Sequence, residues 1–162
     1  MSNCRGASPR RVTRAAARLL LALCLAGGVA ASWAQAPTIA GTWKTIDDKT
    51  GKPKALIRIA EQADGSYVGT VIKGLVPGAD PNRICTLCSG ALKDQKIIGM
   101  QILHGLREDG PGSYGGGEIL DPDSGKTYHC KATLVDGGAE LHMRGYIGIP
   151  LLGRTQAWMR EP

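Results

Sequence analysis

From position 41 onward, apolar and polar residues recur with a period of two, and no stretch sustains the 3.6-residue period of an amphipathic helix. Ile57 and Ile59 fall on one side of such an alternation and Arg58 on the other, the pattern of a strand with one buried face. Read this way, the chain predicts eight strands, at 41–46, 54–62, 66–74, 96–103, 115–120, 126–135, 139–147 and 155–160. Turn residues separate them. Asp64-Gly65 suits a hairpin turn of the primed type, where glycine accepts positive φ. In Asp121-Pro122-Asp123-Ser124-Gly125, proline presets one φ and glycine takes the other. Asp136-Gly137-Gly138 and Gly110-Pro111-Gly112 break the chain in the same manner. Only 75–95 reads as a long connection.

Short connections pair sequence neighbours antiparallel. Eight such strands bury one apolar face most simply by closing into an up-and-down barrel, which leaves no exposed edge. A two-sheet sandwich is the runner-up. Gly115-Gly116-Gly117 is a candidate β-kink rather than a phosphate cradle, since no helix follows it, and the glycine-rich fifth strand is a candidate open edge for self-association.

The segment before position 35 changes the picture of compartment and charge. Arg5, Arg10, Arg11, Arg14 and Arg18 precede an uncharged apolar run from Leu19 to Ala31, and Ser32-Trp33-Ala34 supplies small residues for cleavage after Ala34. This reads as a secretory signal peptide, residues 1–34, followed by one domain, 35–162, in the periplasm or outside the cell. The apolar run is too short for a membrane anchor, which needs about 20 residues. Twin-arginine export and a lipoprotein cysteine at Cys24 fit less well, because Val12-Thr13-Arg14 and Leu23 are not the residues those signals want. All five of those arginines lie in the leader, so its removal lowers the net charge from +6 to +1. The remaining Lys and Arg are spread among acids, which argues against a nucleic-acid partner.

If the barrel closes, the start of the first strand lies beside the end of the last, bringing Trp43 to Arg160. The indole would seal the floor and the guanidinium would stack on it and bind strand-end carbonyls, a structural plug. The plainer reading makes Trp43 a core aromatic and Arg160 a solvated terminal charge. The interior would be lined by Trp43 itself, Ile57 and Ile59 of the second strand, and Tyr67 and Val71 of the third. The fourth would add Ile98, Met100 and Ile102, the sixth Tyr128, and the seventh Leu141 and Met143.

Several motifs then come together. Gly41-Thr42-Trp43-Lys44-Thr45-Ile46-Asp47-Asp48-Lys49-Thr50-Gly51-Lys52-Pro53-Lys54, Ile97-Ile98-Gly99-Met100 and Gly117-Glu118-Ile119-Leu120-Asp121-Pro122 occur in order. Gly125-Lys126-Thr127-Tyr128, Arg144-Gly145-Tyr146-Ile147-Gly148 and Leu152-Gly153-Arg154-Thr155-Gln156-Ala157-Trp158 follow. Together they resemble the bacterial family known as domain of unknown function 2147, over nearly all of 35–162. The resemblance implies an exported, lipocalin-like small barrel and no established reaction.

Candidate chemistry centres on cysteine. Cys85-Thr86-Leu87-Cys88 lies in the long loop, outside the βαβ context of a thioredoxin-like site, and an oxidising compartment favours a disulfide. Two pairings fit: Cys85 with Cys88 while Cys130 stays a buried free thiol, or one of the pair with Cys130. The first is preferred because Cys130 alternates with Tyr128, Ala132 and Leu134 on the apolar face. A zinc site of the three cysteines with His104 or His129 is disfavoured, since His129 and Cys130 are adjacent in a strand and face opposite ways. His142, between Leu141 and Met143, is expected to point outward. Asp47-Asp48 and the Asp121/Asp123 pair read as turn chemistry rather than acid–base or calcium sites. Arg154 with Gln156 is either a polar ligand contact or a brace for the last turn.

These observations favour a non-enzymatic carrier or sensor of a small, mostly apolar molecule held in the barrel, with no cofactor and no metal. A filled barrel that engages envelope partners through its loops, especially 75–95, is the alternative. Thiol–disulfide chemistry at Cys85 and Cys88 is the second.

Overall fold

The computed structural model describes residues 36–162; the expected leader and its cleavage point lie outside the described residues. Eight antiparallel strands close in sequence order into one barrel, which rules out the sandwich. They are β1 (Gly41–Ile46), β2 (Pro53–Glu61), β3 (Tyr67–Gly74), β4 (Gln101–Gly110), β5 (Ser113–Asp121), β6 (Lys126–Val135), β7 (Glu140–Tyr146) and β8 (Arg154–Glu161). The seam between first and last strands pairs Trp43 with Arg160 and Thr45 with Trp158.

Alternation and turns account for most of this. Gly65 and Gly125 take φ of 76° and 68° in their turns. Asp64 and Asp121 support those turns, Asp64 Oδ1 accepting from the Ser66 amide at 3.0 Å and Asp121 Oδ1 from the Asp123 amide at 3.1 Å. β5 pairs with β4 on one side and β6 on the other, so its glycines do not form an open edge. Gly117 instead permits close packing. A Cβ there would lie 2.9 Å from Leu106 and 3.1 Å from the Cys130 sulfur.

The fourth strand departs from expectation. Residues 96–100 are not strand apart from a single bridge between Lys96 and Ile84, and β4 begins at Gln101 and runs on to Gly110. Gly99 takes φ of 94°, which ends any extended run there. Ile102 and Leu103 are both buried, so strict alternation fails as β4 begins. The charged Arg107-Glu108-Asp109 run belongs to β4, opposite Gly115 and Tyr114 of β5. The connection between β3 and β4 is correspondingly longer than predicted, 75–100.

The barrel has unlike ends. At one, Trp43 is fully buried and its indole N–H donates to the Ile39 carbonyl at 2.8 Å. Tyr67 and Tyr114 meet edge to face, centroids 5.5 Å apart, and Leu106, Leu141 and Ile59 complete the packing. The other end carries the β1–β2, β3–β4, β5–β6 and β7–β8 connections.

Candidate functional site

The closed end is sealed by the last strand's arginine. The Arg160 guanidinium carbon sits 4.3 Å from the Trp43 ring centroid. Its three nitrogens donate to the carbonyls of Gly138 at 2.6 Å, Ala40 at 2.9 Å and Thr38 at 2.6 Å. A planar fork of donors can satisfy three diverging carbonyls and still offer a face to the indole, which an ammonium cannot. Arg160 is therefore tied into the closed end and is not a free terminal charge.

The opposite end is hollow. A cavity of about 710 Å³ opens there, with Ile57, Val71, Ile102, Leu120, Met143 and Trp158 among its walls. Its polar lining is largely satisfied within the protein. The Thr45 hydroxyl accepts from the Ala55 amide at 3.1 Å and faces the Ala55 carbonyl at 3.3 Å, and the Trp158 indole donates to Gln156 Oε1 at 3.5 Å. No buried side-chain nitrogen or oxygen among the described residues lacks a partner.

Among the charged side chains of the lining are two clusters of paired groups. Arg154 forks onto the carboxylate of Asp48. That contact holds the Asp48 carboxyl below its ordinary value, the Arg154 hydrogen bond being the main cause. Asp123 receives Lys54 at 2.5 Å and Arg83 at 2.6 Å. Burial pushes this carboxyl up, but the two cationic hydrogen bonds outweigh it and leave it below 3.8. Asp47 is a turn residue, accepting from the Lys49 and Thr50 amides and the Thr50 hydroxyl, the last being the main reason its carboxyl is lowered.

The long β3–β4 connection forms one wall of the mouth. Cys85 and Cys88 are bonded to each other within it, and Cys130 is a buried free thiol. The pair is pressed onto the β5–β6 turn, where a Cβ on Gly125 would lie 1.9 Å from the Leu87 carbonyl. Arg83 crosses to Asp123 on the same turn. Ile97 and Ile98 of the connection face the cavity. Burial raises the Cys130 thiol to about 12, with Glu118 adding to the effect.

The predicted interior residues divide into two sets. Ile57, Val71, Ile102, Tyr128 and Met143 line the cavity, and Ile98 reaches it from the loop while 36 % exposed. Trp43, Ile59, Tyr67, Met100 and Leu141 do not line it and are packed in the core. Arg154 and Gln156 both line the cavity, Arg154 braced by Asp48. His142 is exposed, 2.8 Å from Glu140. Trp158 and Leu120 were missed as wall residues. Period two from Arg160 places Trp158 on the inward face, so its signal lay in the sequence. No cluster of three metal-ligating side chains occurs among the described residues.

An eight-stranded antiparallel barrel, plugged at one end and hollow at the other, defines a lipocalin-like protein. The chain belongs to the bacterial family described as uncharacterized protein conserved in bacteria, DUF2147, whose profile matches residues 41–160. Among solved structures it is similar to protein HP1028 of Helicobacter pylori, which is described as belonging to the lipocalin family. The two share 23 % identity with a TM-score of 0.68, over 78 % of this chain and 84 % of the other, a likeness of fold. No significant match emerges among curated proteins.

Proposed function

We propose that this protein is a non-enzymatic periplasmic or secreted carrier of a small, mostly apolar molecule, taken up in the open end of the barrel. The observation that carries the reading is the cavity of about 710 Å³, with an apolar floor and a charged rim. That volume lies within the range of about 300–1,000 Å³ typical of small-molecule sites. The distribution favours a cargo with an apolar body and a polar end, the body among Ile57, Val71 and Met143 and the polar end at the rim of Lys73, Arg83 and Arg154. Thiol–disulfide chemistry is disfavoured, because Cys85 is fully buried and Cys88 is 5 % exposed, so an attacking thiolate has no approach.

The test is a thermal-shift panel of straight-chain fatty acids and uncharged apolar probes, on the wild type and on Ala55→Phe, which fills the cavity from its wall. A probe at about 100 times its Kd adds about 2.7 kcal/mol, a rise of roughly 5–10 °C for a domain of this size. The rise should vanish in Ala55→Phe while that variant's own melting temperature holds. A panel without any shift, or an equal shift in the variant, overturns the reading.

A further inference from the structure

The connection between β7 and β8 holds a run of aliphatic side chains in water. Ile147 is 65 % exposed, Ile149 56 %, Leu151 81 % and Leu152 79 %. Its conformation is held in place by the protein itself. The Arg144 guanidinium donates to the carbonyls of Pro150 at 2.8 Å and Leu151 at 3.0 Å, and to the Thr155 hydroxyl at 2.9 Å. The Leu152 and Gly153 amides close back onto Ile149 and Pro150 at 3.2 Å and 3.0 Å. The tip therefore presents apolar side chains on a short turn that Arg144 and its own Leu152 and Gly153 amides hold in place.

The rest of the open end has the same character. Among the described residues, ten of the eleven exposed large aliphatic side chains lie in 47–55, 72–100, 121–126 or 144–154, and only Met159 lies elsewhere. These four segments, which form the open end, carry ten Lys and Arg against six Asp, a net charge of +4. The remainder of 36–162 carries five against eight, a net charge of −3. The barrel is thus electrically polar along its axis, positive at the end that bears the apolar tip and the cavity mouth.

We infer that the open end docks on a lipid bilayer containing anionic head groups, with Leu151 and Leu152 inserted among them. A convex aliphatic projection within a ring of excess cations fits a head-group surface, which takes apolar groups shallowly and attracts the surrounding charge. A second copy of the chain fits less well, because a two-fold contact through this end would bring two net positive faces together. Docking does not depend on the cavity being loaded.

The test is flotation of the protein as purified from cells, its processed form fixed by intact mass. Vesicles are phosphatidylcholine alone, or phosphatidylcholine with about one quarter phosphatidylglycerol. The protein should float with the anionic vesicles, at least about tenfold less with phosphatidylcholine alone, and should be released in about 1 M salt, where the Debye length falls to about 3 Å. The doubly substituted Leu151→Ser/Leu152→Ser should keep its melting temperature, both side chains being exposed, and lose at least about tenfold in binding. No flotation of the wild type, or equal flotation of the double variant, overturns the proposal. So does a wild-type dimer in sedimentation velocity that the double variant abolishes without any vesicle binding.

Discussion

Trp43 and Arg160 are 117 positions apart in the chain and paired across the barrel seam. The indole fills the closed end, and the guanidinium satisfies three carbonyls that would otherwise be left at strand and loop ends. Truncating a fully buried tryptophan costs its transfer energy and leaves a cavity, about 3–5 kcal/mol. Trp43→Ala is therefore expected to lower the denaturation midpoint sharply at an unchanged m-value; a variant that melts like the wild type would show that the plug carries no stability. Cys130 gives a second residue-scale expectation. It is buried beneath Gly117 and Leu106, and its thiol is raised to about 12. The reactive thiolate is then scarce at neutral pH and has no route to reagent. On a chain of residues 35–162, thiol titration should find essentially no reaction in the folded protein and one thiol in denaturant; three would refute the disulfide. Sequence reasoning reached these residues because each sits on a face that period two assigns.

The β3–β4 connection is the element that alternation misjudged. Ile97-Ile98-Gly99-Met100 has the apolar content of a strand, yet Gly99 adopts φ of 94° and the chain turns before β4 begins. The connection is held by contacts with elements far away in sequence: Arg83 and Lys54 on Asp123, and Leu87 on Gly125. Local pattern carries no record of such partners. The attachment has a defined pH dependence. In the folded protein the Asp123 carboxyl is held below 3.8, about its unfolded value. Its contribution is full above that value and is lost as pH falls below it through the still lower folded value. The pair is more than one-third exposed, so screening keeps the contribution under about 1 kcal/mol. Asp123→Asn should lower the hydrogen-exchange protection factors at 83–97 at neutral pH, and the further loss of protection expected of the wild type below about pH 4 should be absent in the variant. Equal exchange in both proteins would mean that Asp123 does not hold the loop.

At the scale of the whole molecule, closing the barrel gives each strand two neighbours and divides the interior by height. The closed end is filled by aromatic and branched side chains, and the open end is left hollow. Because β1 and β8 are joined along the seam, a guest bound between Ile57, Val71 and Met143 braces strands across the barrel. The expected thermal shift should accordingly appear as one cooperative transition displaced upward, and a separate low-temperature step would place the probe elsewhere. The charge polarity and the apolar β7–β8 tip also belong to this scale, since they arise from four connections gathered at one end.

The amino-acid sequence by itself determined seven of the eight strands, their turns and the closure, and misplaced the fourth. Period-two alternation and turn glycines act over a few residues, and short connections force neighbours to pair. It also determined the inward face of each regular strand, which is why Ile57, Val71 and Met143 were found. Only the tertiary structure decided which inward residues face a cavity and which are packed, because alternation records in or out and says nothing of height along the barrel axis. Height depends on strand tilt, on the register shifts in β3, β4 and β5, and on the long loop that walls the mouth. For that reason Trp43, Ile59, Tyr67, Met100 and Leu141 share the inward or buried character of the cavity residues without touching the cavity.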